Sequence, residues 1–478
     1  MFSCTSMSTE TSSGRFLGYN EARNFIEQTT RFGSVLGLDN MRALMEELGN
    51  PQDDINIIHI AGTNGKGSVG AYLASILKEA GFKVGRYCSP AVFSPLECWQ
   101  YDGRNITEEE YAYHLSQVKK ACDIVITKGI QPTVFEVETA MAFVYFKAMQ
   151  VDFLLLETGL GGETDATNII KHPFACIFTT ISRDHMQFLG ESLTEIAEVK
   201  AGIIKKGALV CSAVQEPEVE TVLNQKYAEI NCSAGANNKD LESEYKICYV
   251  QSERLNFISQ KSGEMKFSYK EREYTTRIAG LYQMRNIALV IEIARKIFLK
   301  LPEMSGIQTS YSDVILISET QDRIIEYGIK NTSWSGRFEV IDENPLFIID
   351  GAHNEDAVKQ LAATVENCFT NQPIDFIIGI LADKEHEKML EVMMPFANRV
   401  FTVTPPNARG LDAKILAEEV RLLHDDVICC GSIQEAIMGA LSHSEEQRCP
   451  ILAFGSLSYL GALKDTYKQI CESRMRDV

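Results

Sequence analysis

The sequence predicts an α/β protein, a parallel-sheet domain with a small added antiparallel sheet, followed by a second α/β domain. Three observations predict it. Short runs at residues 55–60, 151–156 and 176–181 are apolar on both faces and alternate with helical stretches, as in a parallel sheet covered on both sides. Residues 245–278 instead alternate polar and apolar about a Lys261-Ser262-Gly263 turn, the pattern of an antiparallel meander. After a composition break at 331–336 the strand–helix alternation restarts, with strands expected at 346–349, 376–380, 400–403, 427–430 and 451–454 and a helix after each. That second unit is Rossmann-like. The expected division is a disordered tail over 1–14, a P-loop-type parallel-sheet domain over 15–330 and the second domain over 331–478.

Along the chain, residues 1–13 are rich in Ser and Thr and lack an apolar signal core. Helices are expected at 19–30 and 38–48, joined by a turn at 32–34. The strand at 55–60 then runs into Gly62, Gly65 and Gly67, with Lys66 among them. Val69, Tyr72, Leu73, Ile76 and Leu77 follow on one face of a helix that stops at Gly81. Strand, glycine-rich turn, lysine, helix is the layout of a phosphate-binding loop. Glycines let backbone N–H groups close on phosphate oxygens, the helix N-terminus adds partial positive charge, and the lysine bridges terminal phosphates. The general G-x-x-x-x-G-K-[ST] pattern is not met literally, because Ile60 stands at its first glycine and the hydroxyl comes one residue late, at Ser68. A glycine-rich turn with a surface lysine is the bland alternative; the density of the loop favours nucleotide.

A strand at 83–87 leads into Cys88-Ser89-Pro90, and 94–103 reads as irregular. Thr107 and Glu110 form a capping box for a helix to about 128, and 136–149 reads as a buried helix. The strand at 151–156 ends in Glu157, and that at 176–181 precedes Arg183-Asp184-His185. Parallel sheets bind ligands at the carboxyl ends of their strands. The loop 62–68, Ser89, Glu157 and His185 are therefore expected in one crevice. A helix at 192–206 opens on a Ser192/Glu195 capping box and carries Lys200 on its apolar stripe, either as a snorkelling side chain or turned into the site in carbamylated form. Helix 280–299 and a strand at 314–317 complete the first domain.

The formal charge of −19 without a basic block excludes nucleic acid as the expected partner. Thirteen cysteines without a C-x-x-C motif suit a reduced cytoplasm, and no apolar run approaches the roughly 20 residues of a membrane span. No redox cofactor is expected. A carboxylate at Glu157, a serine hydroxyl and the imidazole of His185 suit Mg²⁺, which an acidic nucleotide enzyme requires. His59, inside an apolar strand, reads as a core residue, whereas Asp165, Thr167 and Asn168 read as turn residues or as a substrate wall. Arg337 and Asp350 could reach the nucleotide as a phosphate clamp and a ribose acceptor.

The segment from His59 to Ser68 resembles the nucleotide loop of the Mur ligase superfamily, and more narrowly of its folylpolyglutamate synthase and dihydrofolate synthase branch. The resemblance continues through 132–143, 156–168, Asp184-His185, Phe188-Leu189-Gly190 and 198–203. In the second domain it includes Ser335-Gly336-Arg337, Asp350 to Asn354, Leu381 to Lys384, Thr404 to Asn407 and Gly455-Ser456-Leu457. It implies an ATP-dependent ligase that joins L-glutamate to a folate or dihydropteroate carboxylate through an acyl phosphate. Under it, Asn64, Gly65, Lys66, Gly67 and Ser68 cradle the phosphates, and Lys66 stabilises the transferring one. Ser89, Glu157 and His185 are the Mg²⁺ ligands, and Lys200 is the carbamylated lysine of a second Mg²⁺ site. Asn286, Arg337 and Asp350 are nucleotide contacts, Thr133, Phe135, Asp165 and Ala166 line the pterin pocket, and His353 lies near the incoming amino acid. Three positions depart from the family. Glu163 stands for an arginine, Ala91, Ser94 and Cys98 stand for a histidine and arginines while Glu97 is kept, and Tyr282 stands for a histidine. A Mur-type ligase for another carboxylate and a non-catalytic nucleotide-binding regulator are the alternatives; a monomer is expected.

Overall fold

The structure, a computed structural model, describes residues 16–30, 37–231, 246–261, 263–303, 317–370 and 372–476. The expected N-terminal tail and the 32–34 turn lie outside the described residues, as does all but Ile317 of the strand expected at 314–317. Two sheets organise the rest. The first has eight strands in the order β4-β3-β2-β5-β1-β6-β7-β8. Its core comprises β1 (Ile57–Ala61), β2 (Val84–Tyr87), β5 (Phe153–Glu157) and β6 (Ala175–Phe178), all parallel. Every residue of these four strands is buried, which is why each reads as a largely apolar run, broken only by His59, Arg86 and the terminal Glu157. One face packs on α3 (Lys66–Glu79) and α9 (Leu281–Lys300), the other on α4 (Glu108–Thr127) and α5 (Val134–Ala148).

Local signals set the helix starts. Thr107 accepts a hydrogen bond from Glu110 N while the Glu110 carboxylate accepts one from Thr107 N, and Ser192 and Glu195 do the same at the start of α7 (Leu193–Ala201). Thr133 and Glu136 form a third such box, so α5 begins earlier than its apolar run suggests. Helix α7 stops at Ala201 instead of reaching 206, because Gly202 caps it and the chain turns to bury Ile203 and Ile204.

The region 94–103, expected to be irregular, holds a short 3₁₀ turn and the strand β3 (Trp99–Tyr101), which pairs antiparallel with β2 and with β4 (Arg104–Asn105). The meander is β9 (Leu255–Lys261), β10 (Glu264–Tyr269) and β11 (Arg272–Thr276), shorter than expected. The start of the alternating region joins the main sheet instead, as β8 (Cys248–Tyr249) beside β7 (Leu209–Ser212).

The second sheet runs β12-β13-β17-β14-β15-β16. Its parallel strands are β13 (Leu346–Ile349), β14 (Ile374–Ile378), β15 (Ala397–Thr402), β16 (Val427–Cys429) and β17 (Ile451–Phe454), within a few residues of the expected positions. An antiparallel edge, β12 (Glu339–Glu343), is added on β13. The carboxyl ends of the two sheets face one another across a shared cavity.

Candidate functional site

The cavity, about 910 Å³, is lined by residues that follow β1, β2, β5 and β6 and, from the other side, β13, β14 and β17. Its floor is the loop after β1. Gly62 has φ +150° and a Cβ there would lie 1.9 Å from Thr179 Oγ1; Gly65 has φ +93° with Asn286 Oδ1 2.6 Å from its Cβ position. Only glycine fits at either position. The loop is held from below by Thr63 N and Asn64 N, which donate to Thr180 O, and by Thr63 Oγ1, which donates to Ser182 O at 2.9 Å. Helix α3 starts at Lys66, so the first-turn amides of Lys66, Gly67 and Ser68, residues that line the cavity, have no carbonyl within their own helix to bond. Lys66 Nζ donates to Gly62 O at 3.1 Å and Thr63 O at 3.3 Å, and lies 3.9 Å from Glu157 Oε1.

Ser89, Glu157, His185 and Lys200 all border this loop. Among the described residues, neither the Ser89 hydroxyl, the Glu157 carboxylate nor the His185 ring makes a side-chain hydrogen bond. Burial pushes the Glu157 carboxyl up, against the pull of Lys66, Arg86 and Arg337. Burial also lowers His185, against Asp184, and keeps the ring neutral as a ligand must be. Uncommitted oxygen and imidazole donors around a desolvated carboxylate fit a hard divalent cation. Lys200 is 4 % exposed, and its Nζ donates to Gly62 O at 3.0 Å. Burial, with Lys66 adding to it, lowers this amine to about 7, so a large neutral fraction exists at neutral pH.

The second unit closes the cavity. Asn354 caps the helix Glu355–Cys368, donates to Asn64 Oδ1 at 3.0 Å and Asp184 Oδ2 at 3.1 Å, and accepts from Ala357 N. Asn64 Nδ2 reaches Asp356 Oδ2 at 2.8 Å, and Lys384 pairs with Asp184 at 2.7 Å. Burial opposes the charge on Asp184, but Lys384, with His185 and His353 adding to it, outweighs burial and holds the carboxyl well below the usual range. Arg337, Asp350, His353 and Asn286 also line the cavity. Asp350 accepts from Tyr282 Oη at 2.7 Å, Phe338 N and Ala352 N, so the tyrosine at the departing position orients this carboxylate. His353 is lowered to about 4, first by burial and then by Lys384, and is neutral. Leaving aside Lys200 and the neutral imidazoles, the charged lining is Lys66, Arg285, Arg337, Lys384 and Arg409 against Glu157, Asp184, Asp350 and Asp356, a slight basic excess in a chain of formal charge −19. Such a cavity suits a polyanion.

Thr133, Phe135, Asp165 and Ala166 do not line this cavity. Thr133 caps α5, and Asp165 spends its oxygens on Leu160 N, Thr167 N and the Thr167 hydroxyl. Ala166 is buried behind it, and Phe135 lies under Gly159, a residue of the cavity wall, and beside Tyr87. His59 is fully buried, bonded to Thr167 Oγ1 at 2.9 Å and lowered to about 3 by burial, a core residue as read. Glu97, the retained acid of the 91–98 loop, accepts from the amides of Val92, Phe93 and Ser94 and so fixes the loop's shape.

Sequence reasoning missed Arg86 and Trp334. Arg86 is 4 % exposed, its guanidinium lies 4.0 Å from the Trp334 ring, and Trp334 packs on Gly67. A charge inside the apolar run of β2 was the available signal.

Comparison with known proteins assigns the chain. Residues 60–294 match the Mur ligase middle domain and residues 336–457 the Mur ligase glutamate ligase domain. The dihydrofolate synthase/folylpolyglutamate synthase of Bacillus subtilis is 34% identical over 392 residues, covering 80% of this chain and 85% of that protein. The Mycobacterium tuberculosis folylpolyglutamate synthase solved with ADP and AMPPCP superposes with a TM-score of 0.78 at 25% identity, covering 94% of this chain and 98% of that one. A folylpolyglutamate synthase solved with AMPPCP and folate superposes at 0.75 and 27% identity, covering 94% and 100%. With the phosphate loop, the facing carboxyl ends and both domains matched, the chain belongs to the folylpolyglutamate synthase/dihydrofolate synthase branch of the Mur ligases.

Proposed function

We propose that the protein is an ATP-dependent ligase that adds L-glutamate to a folate carboxylate, extending tetrahydrofolate and converting dihydropteroate to dihydrofolate. The observation that carries the reading is the single basic cavity, in which the phosphate loop of the first unit meets Arg337, Asp350 and His353 of the second. The relatives' names supply the acceptor and the amino acid, and ADP, AMPPCP and folate in the solved relatives supply the ligand classes. In this reading residues 15–330 bind nucleotide and acceptor, and residues 331–478 present glutamate.

The amides at 65–68 hold the phosphates of ATP, and Lys66 meets the charge that builds on the γ-phosphoryl group as it moves to the acceptor carboxylate. Asn286, Arg337 and Asp350 fix the nucleotide. Ser89, Glu157 and His185 would hold one Mg²⁺, and Lys200, after its neutral amine adds CO₂ and loses a proton, would help hold a second. Bound there, the cations would offset phosphoryl charge. Thr133, Phe135, Asp165 and Ala166 shape the pterin end of the acceptor. The acyl phosphate hydrolyses in water, so the Asn64–Asn354 and Asp184–Lys384 contacts, which join the two units beside the cavity, help protect it until the glutamate amine attacks near His353. The protein is proposed to work as a monomer in the cytoplasm.

Glutamate-dependent ADP release with Mg²⁺, measured with 7,8-dihydropteroate and separately with tetrahydrofolate, tests the proposal. Turnover with both is expected. Turnover with tetrahydrofolate alone removes the dihydrofolate synthase half, and silence with both sinks the folate reading.

A further inference from the structure

At the amino ends of the second sheet's strands, away from the ligase cavity, three metal-ligating side chains converge from three elements. Asp375 is the second residue of β14, His443 lies on the helix Ile433–Gln447, and Cys449 stands two residues before β17. Their ligand atoms all lie within 4.8 Å of one another. The cluster is set in place by backbone. Asp375 N donates to Pro450 O at 2.9 Å, and the Ser444 hydroxyl, next to His443, donates to Cys449 O. The remaining length of β14, roughly 10 Å, separates Asp375 from the cavity end of the strand.

We propose that Asp375, His443 and Cys449 form a binding site for a zinc-class divalent cation, separate from the ligase cavity. Oxygen, imidazole and thiolate together are the donor set of zinc and not of magnesium. Charge supports it: one carboxylate, one thiolate and a neutral imidazole balance a dication, so an Asp375 side chain with no exposed surface gains a full counter-charge. On binding, the Cys449 thiol gives its proton to solvent and its sulfur bonds the cation, while His443, whose Nδ1 lies 2.7 Å from Asp375 Oδ2, loses its Nδ1 proton to solvent, holds its remaining proton at Nε2 as the neutral ring, and turns the freed Nδ1 lone pair to the metal. His443 keeps 11% of its side chain exposed, the route by which a cation would enter. The same residues do not make a nucleophile. The imidazole faces the carboxylate through Nδ1, and the thiol is pushed up to about 12, first by burial and then by its contact with Asp375. Asn398 Nδ2 lies 3.0 Å from Asp375 Oδ1 and 3.8 Å from Cys449 Sγ, so a half turn of that amide would offer the site one more oxygen.

The test is Co²⁺ titration of the full-length, chelator-treated protein with the ligase cavity saturated by Mg²⁺ and a non-hydrolysable ATP analogue. The expected result is a thiolate-to-cobalt charge-transfer band in the near ultraviolet that saturates at one Co²⁺ per chain, is displaced by Zn²⁺ and disappears in Cys449→Ser. Cys88→Ser, beside the ligase site, keeps the band. His443→Gln, at the partly exposed ligand, weakens Zn²⁺ binding at least ~10-fold in competition with a chromophoric chelator. It serves as the second variant should Cys449→Ser fold poorly. No band with the wild-type protein, a band that survives Cys449→Ser, or unchanged Zn²⁺ affinity in His443→Gln overturns the proposal.

Discussion

On the nucleotide side of the cavity the backbone carries the architecture. Gly62 and Gly65 bring the chain against Thr179 and Asn286, and first-turn amides line the floor. On the side proposed for the pterin, side chains carry it. Asp165 fills its carboxylate with three donors, Thr133 is spent on a helix cap, and Phe135 packs under Gly159. A backbone cradle binds the part of a ligand that every nucleotide shares. A side-chain pocket is shaped residue by residue. Under the proposed function the phosphoryl chemistry rests on the first side and the choice of acceptor on the second; of the departing positions, Ala91 lines the shared cavity itself.

The contrast can be broken from either side. Lys66→Ala removes the one flexible cation of the cradle, and the ADP-release rate should fall roughly 100- to 1000-fold with either acceptor, as read by steady-state kinetics. A loss confined to one acceptor would mean the cradle is not shared.

Lys384→Met cuts one of the links between the units and leaves Asp184 without its cation, at a cost of about 3 kcal/mol in denaturant unfolding near pH 7. The sign with pH follows from Asp184. Its folded pKa lies below the unfolded value, so the pair stabilises the fold fully above the unfolded carboxylate range, near 4, and that stability is lost as pH falls through the folded pKa. The gap between wild type and variant should therefore start to narrow below about pH 4 and close only once the pH has fallen through the depressed folded pKa.

Asp165→Asn keeps the shape but replaces one acceptor oxygen by a donor. That leaves an amide or hydroxyl of the 160–167 loop unsatisfied, for about 1–2 kcal/mol of stability. KM should rise for the folate acceptor and stay level for ATP; equal rises would place Asp165 in the nucleotide site. The smallest effect belongs to Ser192→Ala, which removes the α7 cap beneath Lys200 and should cost about 1 kcal/mol in thermal unfolding with kcat little changed.

What could be read without coordinates follows the same division. The loop from Gly62 to Ser68 and the boxes at Thr107 and Ser192 are written in adjacent residues, so local patterning suffices. The strand Trp99–Tyr101 was not legible, because Pro95 and the Asp102-Gly103 turn look irregular until β2, a dozen residues earlier, is seen beside it. Arg86 and Trp334 lie 248 positions apart (334 − 86), and their stacking exists only because the linker folds back over β2. The closure contacts of Asn64 with Asn354 and Asp356 are equally remote in sequence. Long-range side-chain pairs leave no periodic trace.

The central claim is that this cavity moves a phosphoryl group from ATP to the acceptor's carboxylate before glutamate arrives. Acceptor labelled with ¹⁸O in that carboxylate, turned over with ATP and glutamate, tests it by mass spectrometry of the released phosphate. One labelled oxygen in phosphate per product formed is the predicted result, and unlabelled phosphate with full product formation would contradict it.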